Sequence, residues 1–424
     1  MKIAGVVRVP GDKSITHRAL MLAALAPGAS YLGGALTSLD ARSTAGVLRR
    51  LGIEITPLRP LQTVQVRGRA RFQPPENSLD CGNSGTTARL LLGLLAGHRF
   101  AATLTGDASL RRRPMRRVTG PLGDMGARVT ETSGDGLPVT IRGGPLRPIQ
   151  YRMPVSSAQV KSALLFAGVA GKVAVDVHEA QGRSRDHTER MLAGAGYSVR
   201  NEDGWVRFAP DSRLSAFDMQ IPGDASSAAF LVAAALLAEA GELTLASVGI
   251  NPTRTGFLAV LARMGASVTV EPTQVEYGEP VGDLLARPAG LQGTAILPEE
   301  IPGLIDEIPM LAILATRARG TTVFHQVGEL RVKESDRLGL LATNIRALGG
   351  RAEVQGENLW VEGSSEPPRG RVHTAGDHRI SMAFQVLGTV PGSRVRVDDP
   401  GSADISFPGF AGMLRSIQAR RSRG

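Results

Sequence analysis

The chain has 424 residues, 42% of them apolar, one cysteine and a formal net charge of +10. Its length exceeds one ordinary core, so two domains of roughly 200 residues are expected; the lone Cys81 excludes an internal disulfide and fits a reducing cytoplasm. No apolar run long enough for a membrane span and no apolar leader after Met1-Lys2-Ile3-Ala4-Gly5 occur, and dispersed basic residues with only four Tyr and two Trp favour small anions over nucleic acid as partners.

In chain order, a β-like run from Ile3 to Val9 is ended by Pro10-Gly11, and a long apolar helix pattern follows through Leu25. Lys13, Ser14 and Arg18 lie within about one turn of that helix start, where unpaired N–H groups and the positive end of the helix dipole gather. The stretch reads either as an anion trap or as a solvated helix start capped by Asp12 or Ser14. Similar small polar openings recur at Asn83-Ser84-Gly85-Thr86-Thr87, Ser156-Ser157-Ala158-Gln159, Asp224-Ala225-Ser226-Ser227, Asp306-Glu307 and Asp377-His378-Arg379. Each precedes an Ala/Leu-rich helix that is apolar nearly all round and should be buried. More amphipathic helices follow, such as Ala41 to Leu51 and Arg185 to Ala193, and then a glycine with a β-branched run. Those glycines, Gly52, Gly126, Gly196, Gly265 and Gly349, are 74, 70, 69 and 84 residues apart, the expected C-cap and strand signals.

Six units of roughly 70 residues describe a repeat architecture. Three on each side of the middle make two similar α/β domains. Pro222-Gly223-Asp224 echoes Pro10-Gly11-Asp12, so both are expected to be chain crossings in a double-crossover hinge. The predicted domains are residues 12–221, and residues 1–11 with 222–424. Buried helices that begin at a shared face would point six N-termini into one inter-domain cleft suited to an anionic ligand. Lys13, Ser14, Arg18, Asn83, Gly85, Arg89, Ser156, Ser157, Gln159, His378 and Arg379 stand at those starts.

Lysine occurs only at Lys2, Lys13, Lys161, Lys172 and Lys333, against 44 arginines. Either these lysines are chance survivors, or Lys13 and Lys333 serve where a compact ammonium able to exchange a proton is needed; the role of Lys161 is open. Arg111-Arg112-Arg113-Pro114-Met115 precedes a helix and holds Arg113 toward the cleft. Arg331-Val332-Lys333-Glu334-Ser335-Asp336-Arg337 opens the amphipathic helix of the fifth unit. Lys333 and Arg337 then share a face, either to grip a phosphate or carboxylate or as a surface charge ladder with Glu334 and Asp336. Asp306, beside a buried helix pattern, is either an N-cap or a general base, with Glu334 the second acid. The seven His and one Cys lack metal-ligand spacing, and no P-loop or strand-linked G-x-G-x-x-G is present, so no metal and no cofactor are expected. The arginine-rich tail (Arg420, Arg421, Arg423) reads as a frayed end.

Taken in order, Pro10-Gly11-Asp12-Lys13-Ser14 to Arg18, Asn83-Ser84-Gly85-Thr86 to Arg89, Arg113-Pro114, Ser157-Ala158-Gln159, Arg331 to Arg337 and Asp377-His378-Arg379 resemble the enolpyruvylshikimate-phosphate synthases, from the first strand to about Pro408. Ser157-Ala158-Gln159-Val160-Lys161 and Ser184-Arg185-Asp186-His187 resemble the class II branch. The resemblance implies two inside-out α/β barrels, each of three βαβαββ-type repeats. It also implies transfer of the enolpyruvyl group of phosphoenolpyruvate to the 5-hydroxyl of shikimate 3-phosphate, in the shikimate pathway to aromatic amino acids. Residues 12–221 would form the shikimate 3-phosphate side and the other domain the phosphoenolpyruvate side. By matched motif, Lys13, Ser14, Arg18, Ser156, Ser157, Gln159, Ser184, Asp306 and Lys333 would hold shikimate 3-phosphate. Lys13, Asn83, Gly85, Arg113, Gln159, Arg337, His378 and Arg379 would hold phosphoenolpyruvate. Asp306 would act as base, with Lys13 and Glu334 handling the proton at the phosphoenolpyruvate carbon.

Where many members of that family carry a Lys before [TS]-F-P, this chain has Ile405 ahead of Ser406-Phe407-Pro408, so a cation from that loop is not expected. Phosphonate analogues such as glyphosate occupy the phosphoenolpyruvate site in the family, and Gly85 leaves room for them. Two other readings are a transferase acting on UDP-N-acetylglucosamine on the same fold and a non-catalytic phosphate- or polyanion-binding repeat protein. The first lacks support from a reactive loop cysteine, since Cys81 sits beside the Asn83 turn. The second leaves Asp306 and Glu334 without work. A cytoplasmic monomer is the accompanying expectation.

Overall fold

The computed structural model describes residues 1–131, 134–180 and 182–418, so the tail arginines Arg420, Arg421 and Arg423 lie outside the described residues. The chain divides into two units. The N-terminal unit comprises Gly11–Ile221 with Val275–Glu279; the C-terminal unit comprises Met1–Pro10, Pro222–Gln274 and the chain from Pro280 on. Gly11 thus goes with the N-terminal unit, one residue earlier than the sequence suggests, and Val275–Glu279 join it although they lie far along the chain. Each unit has its own hydrophobic core.

In the N-terminal unit, strand Gly28–Gly33 pairs parallel with Asp218–Gln220 and antiparallel with Val64–Gly68, which pairs antiparallel with Glu54–Ile55. The same arrangement recurs around Ala101–Thr105, flanked by Leu79–Asp80 and Val139–Arg142 with Arg128–Glu131 outermost. It recurs again around Val175–Glu179, between Ile149–Met153 and Trp205–Phe208, with Val199–Glu202 outermost. In the C-terminal unit, Leu243–Gly249 pairs parallel with the first strand, Gly5–Val7, and antiparallel with Glu279–Ala286. Thr321–Phe324 lies between Ala295–Ile296 and Asn358–Glu362, which pairs with Arg351–Gln355. The last sheet is a parallel pair, Arg369–Val372 with Arg394–Val397. Strand alternation explains the one-sided burial: in Asn358–Glu362, Leu359 and Val361 are buried while Trp360 is exposed.

The helices expected to be buried are buried: Lys13–Leu25, Gly85–Ala96, Ala158–Gly171, Ala225–Leu236, Ile308–Ala315 and His378–Leu387. Ala/Leu composition suits close packing, and Gly93 shows how close: a Cβ there would come within 1.9 Å of the Ala163 carbonyl oxygen on the neighbouring helix. Five of these helices start on a capping side chain, namely Asp12, Ser84, Ser157, Asp224 and Asp377. Among the described residues no helix is long and apolar enough to cross a membrane.

Candidate active site

The N-terminal unit gathers buried cations at its helix starts. Asp12 caps the Lys13–Leu25 helix by accepting from the Ile15 N–H (2.8 Å), so the capping reading of this opening holds for Asp12, while Ser14 lies inside the helix. Lys13 lies 3.3 Å from the Asp40 carboxylate. One turn on, the buried Arg18 donates to Thr188 Oγ1 (2.7 Å), Ser162 Oγ (2.7 Å) and the Ser14 carbonyl (2.9 Å). These are neutral acceptors, and burial pulls its pKa down to about 10 despite more distant acids such as Glu189.

At the next opening, Arg89 donates to Gln159 Oε1 (2.7 Å) and to the Pro114 carbonyl (3.0 Å), and its Nε is buried with no hydrogen-bond partner. Burial, then the neighbouring Arg117 and Arg113, bring its pKa down to about 9. Gln159 is fixed in turn by donating to Thr86 Oγ1 (3.2 Å). Arg113 reaches the Asn83 side-chain oxygen (2.9 Å), and Asn83 donates to Asp107 (2.6 Å). Gly85 is the first residue of its helix; a Cβ there would lie 3.0 Å from Arg89 Nη1 and 3.4 Å from Arg113 Nη1. The helix after Pro114 starts at Arg116 rather than at the proline, with Met115 as its N-cap. Ser157 caps its helix at 3.5 Å from the Val160 N–H, and Ser156 precedes it on the loop. Ser184 gives both its N–H (3.1 Å) and its hydroxyl proton to the Glu179 carboxylate.

A neutral relay ties these openings together. His17 Nδ1 lies 2.6 Å from Thr44 Oγ1, Thr44 lies 2.6 Å from Thr87 Oγ1, and Thr87 donates to Ser84 Oγ (2.7 Å). With the Thr87 proton given to Ser84, Thr44 donates to Thr87 and His17 Nδ1–H donates to Thr44, and the other ring nitrogen, Nε2, is buried with no hydrogen-bond partner, which suits a neutral imidazole. Burial pushes its pKa down to about 3.

The C-terminal unit pairs its cations with carboxylates. Asp306 Oδ1 lies 3.5 Å from Arg337 Nη1 and 3.7 Å from Arg379 Nε, and Oδ2 lies 3.9 Å from Arg254 Nη1. Arg379 also donates to the Asp306 carbonyl (3.0 Å). Arg337, 1% exposed, donates to Asp377 (2.8 Å) and Glu334 (2.5 Å). Burial opposes its charge, but Glu334, Asp377 and Asp306 outweigh burial and raise its pKa. Burial likewise opposes the charge on Asp377, and Arg337 outweighs it, holding the carboxyl below its usual range. The same Asp377 caps the His378–Leu387 helix, accepting from the Arg379 and Ile380 N–H groups (2.9 and 3.3 Å), with His378 buried in its first turn.

Two sequence readings are corrected here. Lys333 and Arg337 do not share a helix face. Residues Gly328–Val332 form a 3-10 turn, Lys333 is extended, and Asp336 caps a helix that starts only at Arg337 by accepting from the Gly339 N–H. Lys333 turns instead to Glu329 (2.5 Å). Asp306 is not the N-cap of the Ile308–Ala315 helix; Glu307 occupies that position, without a side-chain cap bond. Arg254 was missed from sequence: 3% exposed, it reaches Ser226 Oγ, with Glu307 3.7 Å away, behind Asp306. The only signal was an arginine in the polar stretch Asn251-Pro252-Thr253-Arg254-Thr255 just ahead of a helix.

The family model described as EPSP synthase (3-phosphoshikimate 1-carboxyvinyltransferase) matches residues 1–414. The chain belongs to the EPSP synthase family. A relative in Thermus thermophilus named 3-phosphoshikimate 1-carboxyvinyltransferase is 49% identical over 96% of this chain and 95% of its own length. One of the same name in Alkalilimnicola ehrlichii is 46% identical over 100% and 95%. Among solved structures, EPSP synthase from Acinetobacter baumannii superposes with a TM-score of 0.89 at 37% identity, covering 98% of this chain and 96% of that one. An enolpyruvyl transferase from Streptomyces tendae shares the fold at 16% identity, with a TM-score of 0.75 over 98% and 95%. Among the described residues the chain is a mixed α/β protein of five four-stranded sheets and one two-stranded sheet.

Proposed function

We propose that this chain transfers the enolpyruvyl group of phosphoenolpyruvate to the 5-hydroxyl of shikimate 3-phosphate and releases phosphate. The observation that carries the reading is the division of labour between the two sets of side chains. Buried guanidinium groups whose hydrogen bonds go to neutral acceptors stand in the N-terminal unit, and a carboxylate among three guanidinium groups stands in the C-terminal unit. The first set attracts the anionic groups of the substrates. Lys13, Ser14, Arg18, Ser156, Ser157, Gln159 and Ser184, with Asp306 and Lys333, hold shikimate 3-phosphate. Lys13, Asn83, Gly85, Arg113, Gln159, Arg337, His378 and Arg379 hold phosphoenolpyruvate.

In the reaction Asp306 takes the hydroxyl proton as the oxygen adds to C2 of phosphoenolpyruvate, and Lys13 and Glu334 handle the proton that the methylene carbon gains. The tetrahedral intermediate then returns that methyl proton and expels phosphate, whose charge the arginines stabilise. Glu334 is already bonded to Arg337, so substrate binding there competes with Glu334 for the guanidinium. The recurring sheet order and the capped buried helices support two inside-out barrels of three βαβαββ-type repeats each.

Transfer to UDP-N-acetylglucosamine is not favoured. Cys81 is fully buried and burial pushes its thiol up to about 12, which suits a packed core residue rather than a reactive loop cysteine. The test is phosphate release by the purified chain. It should require both shikimate 3-phosphate and phosphoenolpyruvate; release with either alone, or none with both, would overturn the proposal.

A further inference from the structure

Lys161 is the lysine to which the sequence assigns no role, and the structure buries it completely. It is 0% exposed on the Ala158–Gly171 helix, with Nζ 2.7 Å from Glu179, 2.7 Å from Glu189 and 3.5 Å from the Ser184 carbonyl. The two carboxylates are themselves 3% and 2% exposed. The ammonium donates to Glu179 and to the Ser184 carbonyl, with Glu189 beside it as a second ion-pair partner; a planar guanidinium would need more room than a fully buried position offers. Burial opposes the charge on Lys161, but Glu189 and Glu179 outweigh it.

Such a cluster stabilises a fold poorly compared with apolar packing, so its position is informative. Two members of it are each one residue from a ligand of Arg18. Lys161 precedes Ser162, which accepts from Arg18 Nη2 (2.7 Å), and Glu189 follows Thr188, which accepts from Arg18 Nε (2.7 Å). Ser162 and Thr188 are bonded to each other at 2.7 Å. The Lys161–Glu189 ion pair therefore clamps the Ala158–Gly171 and His187–Gly194 helices at the level where both deliver hydroxyls to Arg18. The third arm, through Glu179, takes both donors of Ser184.

We infer that Lys161 is a positioning residue for the anionic substrate, fixing Arg18 through Ser162 and Thr188, and the Ser184 loop through Glu179. The inference rests on the assignment of Arg18 to shikimate 3-phosphate. Lys161 touches neither substrate in this scheme; it sets the direction of a guanidinium that does.

The test uses the full chain and measures shikimate 3-phosphate binding by calorimetry beside steady-state kinetics with each substrate varied. Lys161→Met alone leaves two buried carboxylates and risks unfolding, so the informative variant is the neutral triple Lys161→Met, Glu179→Gln, Glu189→Gln. A folded triple variant should bind shikimate 3-phosphate about tenfold more weakly, with KM for phosphoenolpyruvate and kcat within about twofold of the parent. In an Arg18→Ala background the same three changes should add clearly less than about tenfold, because only the route through the Ser184 loop remains. Unchanged binding in a folded triple variant, an equal rise in both KM values, or a full tenfold effect without Arg18 would each overturn the inference. If the parent binds shikimate 3-phosphate but shows no turnover with phosphoenolpyruvate, the proposed reaction fails while the binding cycle still decides the role of Lys161.

Discussion

Arg89 in the N-terminal unit and Arg337 in the C-terminal unit are both buried arginines in the first turns of helices, 5% and 1% exposed. Arg89 bonds to an amide oxygen and a carbonyl with two other arginines nearby, and burial takes its pKa down to about 9. Arg337 bonds to two carboxylates with a third 3.5 Å away, and its pKa rises. The contrast separates two kinds of chemistry. A buried cation held by dipoles is only partly compensated and gains from an arriving anion; a buried cation among acids is already compensated, and an arriving anion must compete with those acids for it.

The largest break in this picture comes from the acid. Asp306→Asn keeps the size of the side chain and its place among Arg254, Arg337 and Arg379 but removes the base. We expect kcat to fall about a thousandfold, with both KM values within about fivefold. A variant that keeps a tenth of the activity would move the general base elsewhere.

Next in size is a matched pair. Arg337→Met leaves Asp377 and Glu334 without their cation, and urea unfolding should show a loss of about 3 kcal/mol. Arg89→Met removes a cation without stranding a carboxylate, so stability in the free protein should stay within about 1 kcal/mol, while KM for phosphoenolpyruvate rises at least about tenfold because Gln159 loses the guanidinium that fixes it. Equal stability losses in the two variants would erase the distinction between the halves.

Much of this was legible in the sequence, for a reason that the same residues show. Capping aspartates and serines, all-apolar helices and glycines at helix ends are local signals, so the buried helices and five of their caps could be read from spacing alone. What spacing does not carry is where a long side chain turns. Lys333 and Arg337 are four apart, yet the cap at Asp336 breaks the helix between them, and Lys333 pairs backward with Glu329. Arg254 and the Lys161 cluster depend on residues far apart in the chain, such as Arg254 with Asp306 and Lys161 with Glu189, and no periodicity reports that.

A smaller effect tests the cation pair at Gly85. A Cβ there stands 3.0 Å from Arg89 Nη1, tight enough to push that guanidinium by a few tenths of an ångström. Gly85→Ala should weaken inhibition by a phosphonate analogue competing with phosphoenolpyruvate about tenfold, and KM for phosphoenolpyruvate by less. Unchanged inhibition would mean that moving the Arg89 and Arg113 guanidinium groups does not disturb the anion site.

The last effect is one of pH, and the two halves should respond in different windows. His17 has its folded pKa lowered from 6.5 to about 3, so protonation favours the unfolded chain. Its contribution is complete above the unfolded value and is lost as pH falls from 6.5 toward 3, at up to about 1.4 kcal/mol per pH unit. Asp377 has a lowered carboxyl pKa, so its contribution is complete above the unfolded value near 3.8 and is lost only as pH falls further, through the folded value. Between pH 6.5 and 4.5, then, the hydroxyl relay of the N-terminal unit should weaken while the carboxylate set of the C-terminal unit holds. Urea midpoints of the parent and of His17→Asn across that range isolate the effect, since His98 and every other titrating group are common to both. The variant should be less stable at pH 7, where a relay bond is lost, but its stability should decline less steeply with acid, by about 2 kcal/mol between pH 7 and 5. Parallel declines would mean that His17 is not held neutral in the folded chain, and the distinction between a neutral half and a charged half would fail at a fully buried residue.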